Sequence, residues 1–264
     1  MNNPIANFEQ ILEFAQSYSL PLTKKRAILR EYLQSKTLEL IYQSKISSQI
    51  YFVDGTALRL LYNLNRFSED LDFDLGNIGG AAIDQLVKSV VSQLKKENLS
   101  LDLYRNKTKN RVYYELRFKD LLFELNIGRD SKEKLMIKLD FEKFWQKQNR
   151  QVYFFNRYGF FFNIVSVTLN QHLTQKLWAY LNRKQTQPRD IYDISWLIGQ
   201  KAKLDADYIK ANKLPKEIIP LAIKKFEDEK NKLPTFKRRL KPFLIEEKSA
   251  EKLAFFPQLL NSIR

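Results

Sequence analysis

Three aspartates occupy alternate positions in Asp70-Leu71-Asp72-Phe73-Asp74-Leu75, and no other stretch of the chain concentrates potential chemistry so tightly. If these six residues form a strand, Asp70, Asp72 and Asp74 share one face and Leu71, Phe73 and Leu75 the other. Same-face neighbours lie about 6.5–7 Å apart along a strand, so the carboxylates of Asp70 and Asp72 can converge on one hard cation. Mg²⁺ or Mn²⁺ prefers such oxygen donors. A solvent-facing edge strand that uses charge to discourage aggregation carries the same pattern, and Asp-x-Asp alone leaves both readings open.

Upstream, Ile50-Tyr51-Phe52-Val53 reads as a short apolar strand stopped at Asp54-Gly55, with a helix following over Thr56–Tyr62. At such a helix start, free backbone N–H groups and the helix dipole favour phosphate, and the Thr56 hydroxyl can add a further bond. Thirteen residues separate Thr56 from Asp70. A triphosphate seated at the helix start, with a metal held by the aspartates, is the arrangement that phosphoryl and nucleotidyl transfer require. The plainer reading of Gly55-Thr56 is a turn with an N-cap.

The surrounding pattern predicts a helix near Phe8–Gln16, a longer one within Leu22–Ser47 and another over Ala81–Lys96. Four β-rich runs follow, at Ser100–Tyr104, Val112–Phe118, Leu121–Ile127 and Leu135–Phe141, and Gln151–Val167 reads as a hairpin turned at Tyr158-Gly159. From Thr168 to Arg264 the pattern is helical, broken at Pro188, Pro215, Pro234, Pro242 and Pro257. The fold class is therefore α+β, with residues 1–167 forming the lobe that carries the aspartates and residues 168–264 a helical lobe. Leu169, Leu173, Leu177 and Leu181 define a buried stripe expected to pack the lobes together. Lys176 lies about 100° around that helix from Leu177; it can contact triphosphate oxygens or extend its amine to solvent. Asp190 follows Pro188-Arg189 at a helix start, where it can cap the helix or act as a base or orienting group.

Composition narrows the chemistry. Cysteine is absent and His172 is the single histidine, which excludes disulfides, thiolate sites and histidine-rich metal cages; His172 itself reads as a surface or boundary residue. No apolar run is long enough for a membrane span, and Met1–Ala15 lacks the signature of a signal peptide, so a cytoplasmic protein is expected. The formal charge is +15, which favours a polyanionic partner. Only residues 51–80 are net acidic, with two basic against five acidic side chains.

Two blocks carry a resemblance. Phe52-Val53-Asp54-Gly55-Thr56-Ala57-Leu58-Arg59-Leu60-Leu61-Tyr62, with Arg66-Phe67-Ser68-Glu69-Asp70-Leu71-Asp72-Phe73, is the first; Leu169-Asn170-Gln171 through Lys176-Leu177-Trp178-Ala179-Tyr180, with Arg183 and Arg189-Asp190-Ile191-Tyr192-Asp193-Ile194, is the second. In order and spacing, from about residue 40 to 200, they resemble the AbiEii/AbiGii-type toxins of the DNA polymerase β-like nucleotidyltransferase superfamily. The resemblance implies a polymerase β-like nucleotidyltransferase lobe with a mixed or antiparallel sheet, Mg²⁺ (or Mn²⁺) and an NTP, and an antitoxin encoded nearby. Its functional set maps onto Gly55, Thr56, Ser68, Asp70, Asp72, Lys176 and Asp190. Asp140 is the best candidate for the superfamily's third strand carboxylate, as metal ligand and proton acceptor; Glu124 is a poorer one. Relatives usually read Gly-Gly-Thr where this chain has Asp54-Gly55-Thr56, so a carboxylate enters the expected phosphate cradle.

Basic residues at Lys95-Lys96, Lys107–Arg111, Arg183-Lys184, Lys224-Lys225 and Lys237–Arg239, interleaved with Tyr104, Tyr113, Tyr114, Trp178, Tyr180 and Phe236, suit RNA. Most of these aromatics are expected in the core, and the basic C-terminal lobe is the expected RNA platform. The reading is a Mg²⁺-dependent transferase that moves a nucleoside monophosphate from an NTP to an RNA hydroxyl, most simply a tRNA 3′ end, releasing pyrophosphate. Transfer to a small-molecule or protein hydroxyl is the alternative, and an inactive RNA- or partner-binding protein of the same fold is a second.

Overall fold

The computed structural model describes residues 4–108 and 111–263. By its internal contacts the chain divides into two compact units, one of Met1–Ala57, Ser68–Phe144 and Val152–Ser166, the other of Leu58–Phe67, Trp145–Gln151 and Val167–Arg264.

In the first unit, α1 (Phe8–Ser17) and α2 (Lys25–Tyr42) lead to β1 (Ile50–Val53), α3 (Asp54–Tyr62, which continues into the second unit), β2 (Asp70–Leu75) and α4 (Gly80–Lys96). Then come β3 (Leu101–Lys107), β4 (Arg111–Phe118), α5 (Leu121–Glu124), β5 (Leu135–Glu142) and the hairpin β6 (Gln151–Arg157) and β7 (Phe160–Ser166). Five strands make one mixed sheet in the order β1-β2-β5-β4-β3, in which β2 and β5 run parallel and the other neighbours antiparallel. Alternation sorts its faces. Leu71, Phe73, Leu116, Phe118, Ile137, Leu139 and Phe141 are buried, and Phe73 stacks on Phe141 at 4.8 Å between ring centroids. Fully burying such a side chain is worth about 1.5–3 kcal/mol, enough to hold β2 in the one register that turns its aspartates the other way.

One expected strand is a helix. Leu121–Ile127 forms α5 and a turn, entered through Asp120 at φ 64° and closed by the N–H groups of Ile127 and Gly128 donating to the Leu122 carbonyl at 2.8 Å. Leu121 and Leu122 are both buried; adjacent apolar residues suit one helical turn as well as a buried strand, and a short run does not distinguish them.

The second unit is helical, with α6 (Leu169–Asn182), α7 (Pro188–Gly199), α8 (Ala206–Ala211), α9 (Ile218–Asp228), α10 (Leu233–Leu240) and α11 (Phe256–Asn261). Its starts are chemically marked: the Thr168 hydroxyl accepts from the Gln171 N–H, Pro188 opens α7, and the Asp205 carboxylate accepts from the Tyr208 N–H at 2.9 Å. Leu173 and Leu177 are fully buried in this unit's core, and Leu169 and Leu181 pack against it. His172 corrects its sequence reading. It is buried, with its ring edge-on to Tyr62, because a residue next to Leu173 still lies within the inward sector of the helix.

Candidate active site

Register builds the first unit's site. β1 pairs with β2 so that Val53 lies opposite Asp72, and the chain leaves β1 immediately afterwards at Asp54-Gly55-Thr56. Thr56 is completely buried, and its hydroxyl donates to the backbone carbonyl of Asp70. The start of α3 is thereby tied to the start of the acidic strand. The hydroxyl, completely buried, takes that carbonyl as its internal acceptor and holds the loop to the strand.

Asp54 has φ 64° and accepts a hydrogen bond from the Gly55 N–H. Left-handed backbone favours glycine, and aspartate is among the few other residues that adopt it at modest cost. Here the carboxylate takes up an N–H at the helix start.

Ser68 lies just before β2, and its carbonyl accepts from the Gln34 side chain at 3.2 Å, as does that of Glu69 at 2.9 Å. Arg30 pairs with Glu69 at 3.0 Å; burial lowers its pKa, while Glu69 and Asp70 act in the opposite sense. Helix α2 thus fixes the approach to the strand.

Asp70 and Asp72 are half-buried and Asp74 is buried. Along the parallel neighbour β5, Asp72 sits beside Asp140, Asp70 beside Lys138 and Asp74 beside Glu142. Carboxylates on adjacent strands share this face, where strands are about 4.7–4.9 Å apart. Arg111 at the start of β4 grips Asp140: its Nε lies 2.7 Å from Oδ1 and 2.8 Å from Oδ2, and Nη2 also donates to Oδ2. Burial pushes the Glu142 pKa up, Asp140 adds to that, and Arg111 opposes it.

Oxygen donors without histidine or cysteine fit Mg²⁺ or Mn²⁺. Asp70 and Asp72 would hold the ion, with Asp140 the neighbouring donor. Among the described residues no three acidic, histidine or cysteine side chains form a metal-holding group, and the Asp140 carboxylate is engaged by Arg111. Glu124 is at the exposed end of α5, not on the sheet.

The second unit gathers the other residues. Lys176 is 4% exposed, so its amine does not reach out to solvent; it lies 2.8 Å from Asp193 and 3.5 Å from Asp190. Arg66 holds Asp193 with two parallel bonds of 2.6 Å, and Arg183 pairs with Asp190 at 2.7 Å. Burial acts to raise the Asp193 pKa, but Arg66 and Lys176 outweigh it and hold the carboxyl below its usual value. Arg66, Asp193 and Arg111 escaped the sequence reading as site residues. Arg66 and Asp193 both stand in the matched blocks, yet nothing linear joins positions 127 residues apart, and Arg111 read only as part of a basic run.

Of the aromatics considered for RNA, Tyr114, Tyr180 and Phe236 are core residues and Tyr104 is exposed. Lys237 pairs with Glu251 and Arg239 donates to Gln187 at 3.1 Å, while Arg238 is exposed. Residues 109 and 110 of the basic run at 107–111 lie outside the described residues.

Residues 38–259 match the family model described as "Nucleotidyl transferase AbiEii toxin, Type IV TA system". No curated protein sequence matches the chain. Among solved structures, JHP933 from Helicobacter pylori superposes with a TM-score of 0.55 at 19% identity, over 89% of this chain and 92% of that one. MenT4, a nucleotidyltransferase toxin from Mycobacterium tuberculosis, superposes with a TM-score of 0.54 at 16% identity, over 96% of this chain and 90% of that one. At these identities the likeness is one of fold. No helix among the described residues is long and apolar enough to cross a membrane.

Proposed function

This chain belongs to the nucleotidyl transferase AbiEii toxin family of type IV toxin–antitoxin systems, and from that premise we propose that it moves a nucleoside monophosphate from an NTP to an RNA hydroxyl, a tRNA 3′ end being the simplest acceptor. The proposed setting is the cytoplasm, with an antitoxin encoded nearby. One observation carries the assignment of the site: the Thr56 hydroxyl on the Asp70 carbonyl, with Val53 paired to Asp72, puts the start of α3 beside the acidic face.

In this reading the Gly55 backbone and the start of α3 receive the triphosphate, helped by the helix dipole. Asp70 and Asp72 hold the divalent ion, which when bound supplies charge neutralisation to the phosphates. The acceptor hydroxyl attacks the α-phosphorus, the bond to the β-phosphate oxygen breaks, and pyrophosphate leaves. Asp140, on the face that carries Asp72, takes the hydroxyl proton; Asp190 is the other candidate base. Thr56 and Ser68 position the loop and strand. Lys176 and Asp190 are assigned to the same reaction from their place in the family motif.

Incubating the protein with Mg²⁺, each α-labelled NTP in turn and total RNA tests this. Labelled tRNA is expected, with Asp70→Asn lowering the rate on the order of 10³-fold. Label on a small molecule or protein would replace the acceptor. No product with any NTP, together with unimpaired toxicity of Asp70→Asn, would leave only a binding protein.

A further inference from the structure

The acidic face carries its own cation. Arg111 is 56% exposed at its side chain and Asp140 only 13%, so the pair is a largely solvent-exposed guanidinium bonded to a mostly buried carboxylate of the sheet. Both Asp140 oxygens are engaged: Oδ1 by Nε, and Oδ2 by Nε and Nη2. Arg111 also lies opposite Glu142 across β4 and β5, and its positive charge is favoured by Asp140 first, then by Glu142 and Asp72. One guanidinium therefore bonds Asp140 and lies close enough to Glu142 and Asp72 to feel their charge, on the face proposed to take a divalent ion.

We infer that Arg111 is a resident competitor of the divalent ion, and that Asp140 joins Asp70 and Asp72 as a ligand only when Arg111 has let go. This rests on the assignment of the metal to Asp70 and Asp72. A carboxylate whose two oxygens already accept from a guanidinium offers a divalent ion only its remaining lone pairs, and the adjacent positive charge lowers its affinity for that ion. A second positive charge on the same face would also repel the incoming ion. Once released, Arg111 has the geometry to pair with two phosphate oxygens, which couples metal entry to nucleotide entry.

Mn²⁺ binding to the protein without nucleotide, followed by electron paramagnetic resonance, reads the competition directly. Arg111→Ala is expected to tighten Mn²⁺ binding by about tenfold, the scale on which one neighbouring charge shifts the affinity of a carboxylate for a cation. Arg111→Lys, which keeps the charge but loses the fork, should fall between wild type and Arg111→Ala. Asp140→Asn should weaken binding, and in that background Arg111→Ala should regain much less than tenfold. Thermal unfolding without metal identifies any variant that has lost its fold, and Arg111→Lys then carries the test. Unchanged or weaker Mn²⁺ affinity in folded Arg111→Ala or Arg111→Lys would overturn the inference. Mn²⁺ binding that survives Asp70→Asn and Asp72→Asn would instead overturn the metal assignment itself, whatever Arg111 does.

Discussion

Asp54 shows how one residue reconciles backbone and charge. Its φ of 64° demands a residue that tolerates left-handed backbone, and its carboxylate accepts from Gly55 at the start of α3. Two substitutions separate those roles. Asp54→Ala keeps a Cβ but loses the local acceptor, and is expected to destabilise the protein by about 1–2 kcal/mol in urea unfolding. Asp54→Gly accepts the backbone freely and should be closer to neutral. It also removes a negative charge where phosphate is proposed to sit, so the KM for NTP should fall severalfold with little change in kcat. The Thr56 hydroxyl ties the start of α3 to the Asp70 carbonyl, so Thr56→Val should impair activity by loosening the loop.

Among the elements, the contacts of α6 and α7 with the segment around Arg66 contain a buried ionic cluster. Lys176 from α6 and Arg66 both bond Asp193 of α7, so removing one partner leaves buried charge uncompensated. Arg66→Met is expected to cost about 3–5 kcal/mol, measured by chemical denaturation. The pH dependence has a definite sign. Because the folded-state pKa of Asp193 is depressed below 3.8, its contribution to stability is fully present above that unfolded value and is lost as pH falls through the lower folded value. Acid titration of the melting temperature should therefore show a loss below about pH 4 that Asp193→Asn, itself less stable at neutral pH, lacks. The strands tell the complementary story: alternation in β2 alone decided which residues face the core, while the partner of each aspartate depended on the order β1-β2-β5.

For the whole molecule, the proposed RNA acceptor and a charge of +15 together predict an affinity that weakens steeply with salt, log Kd rising with log salt by about 0.7 for each phosphate neutralised on single strands. Lys237 and Arg239 already make contacts within their own unit, so charge reversal of all three basic residues of α10 would confuse folding with binding. Arg238→Glu is the cleaner probe, expected to weaken RNA binding severalfold and reduce the salt slope by about one. A Kd and slope equal to wild type would remove α10 from the interface.

What the sequence by itself determined is whatever depends on local periodicity and backbone chemistry. The alternation of β2, the strand followed by a helix at 50–62 and the helical run after Thr168 all belong there, because side-chain direction repeats every two or 3.6 residues along the chain. Tertiary structure alone decided the partners. It put Arg111 on Asp140, Arg66 on Asp193 and the Thr56 hydroxyl on the Asp70 carbonyl, and it made α5 a helix where an apolar run read as strand. Ion pairs and buried hydrogen bonds join residues across strand order and helix packing, and linear spacing carries no record of which strand will lie next to which.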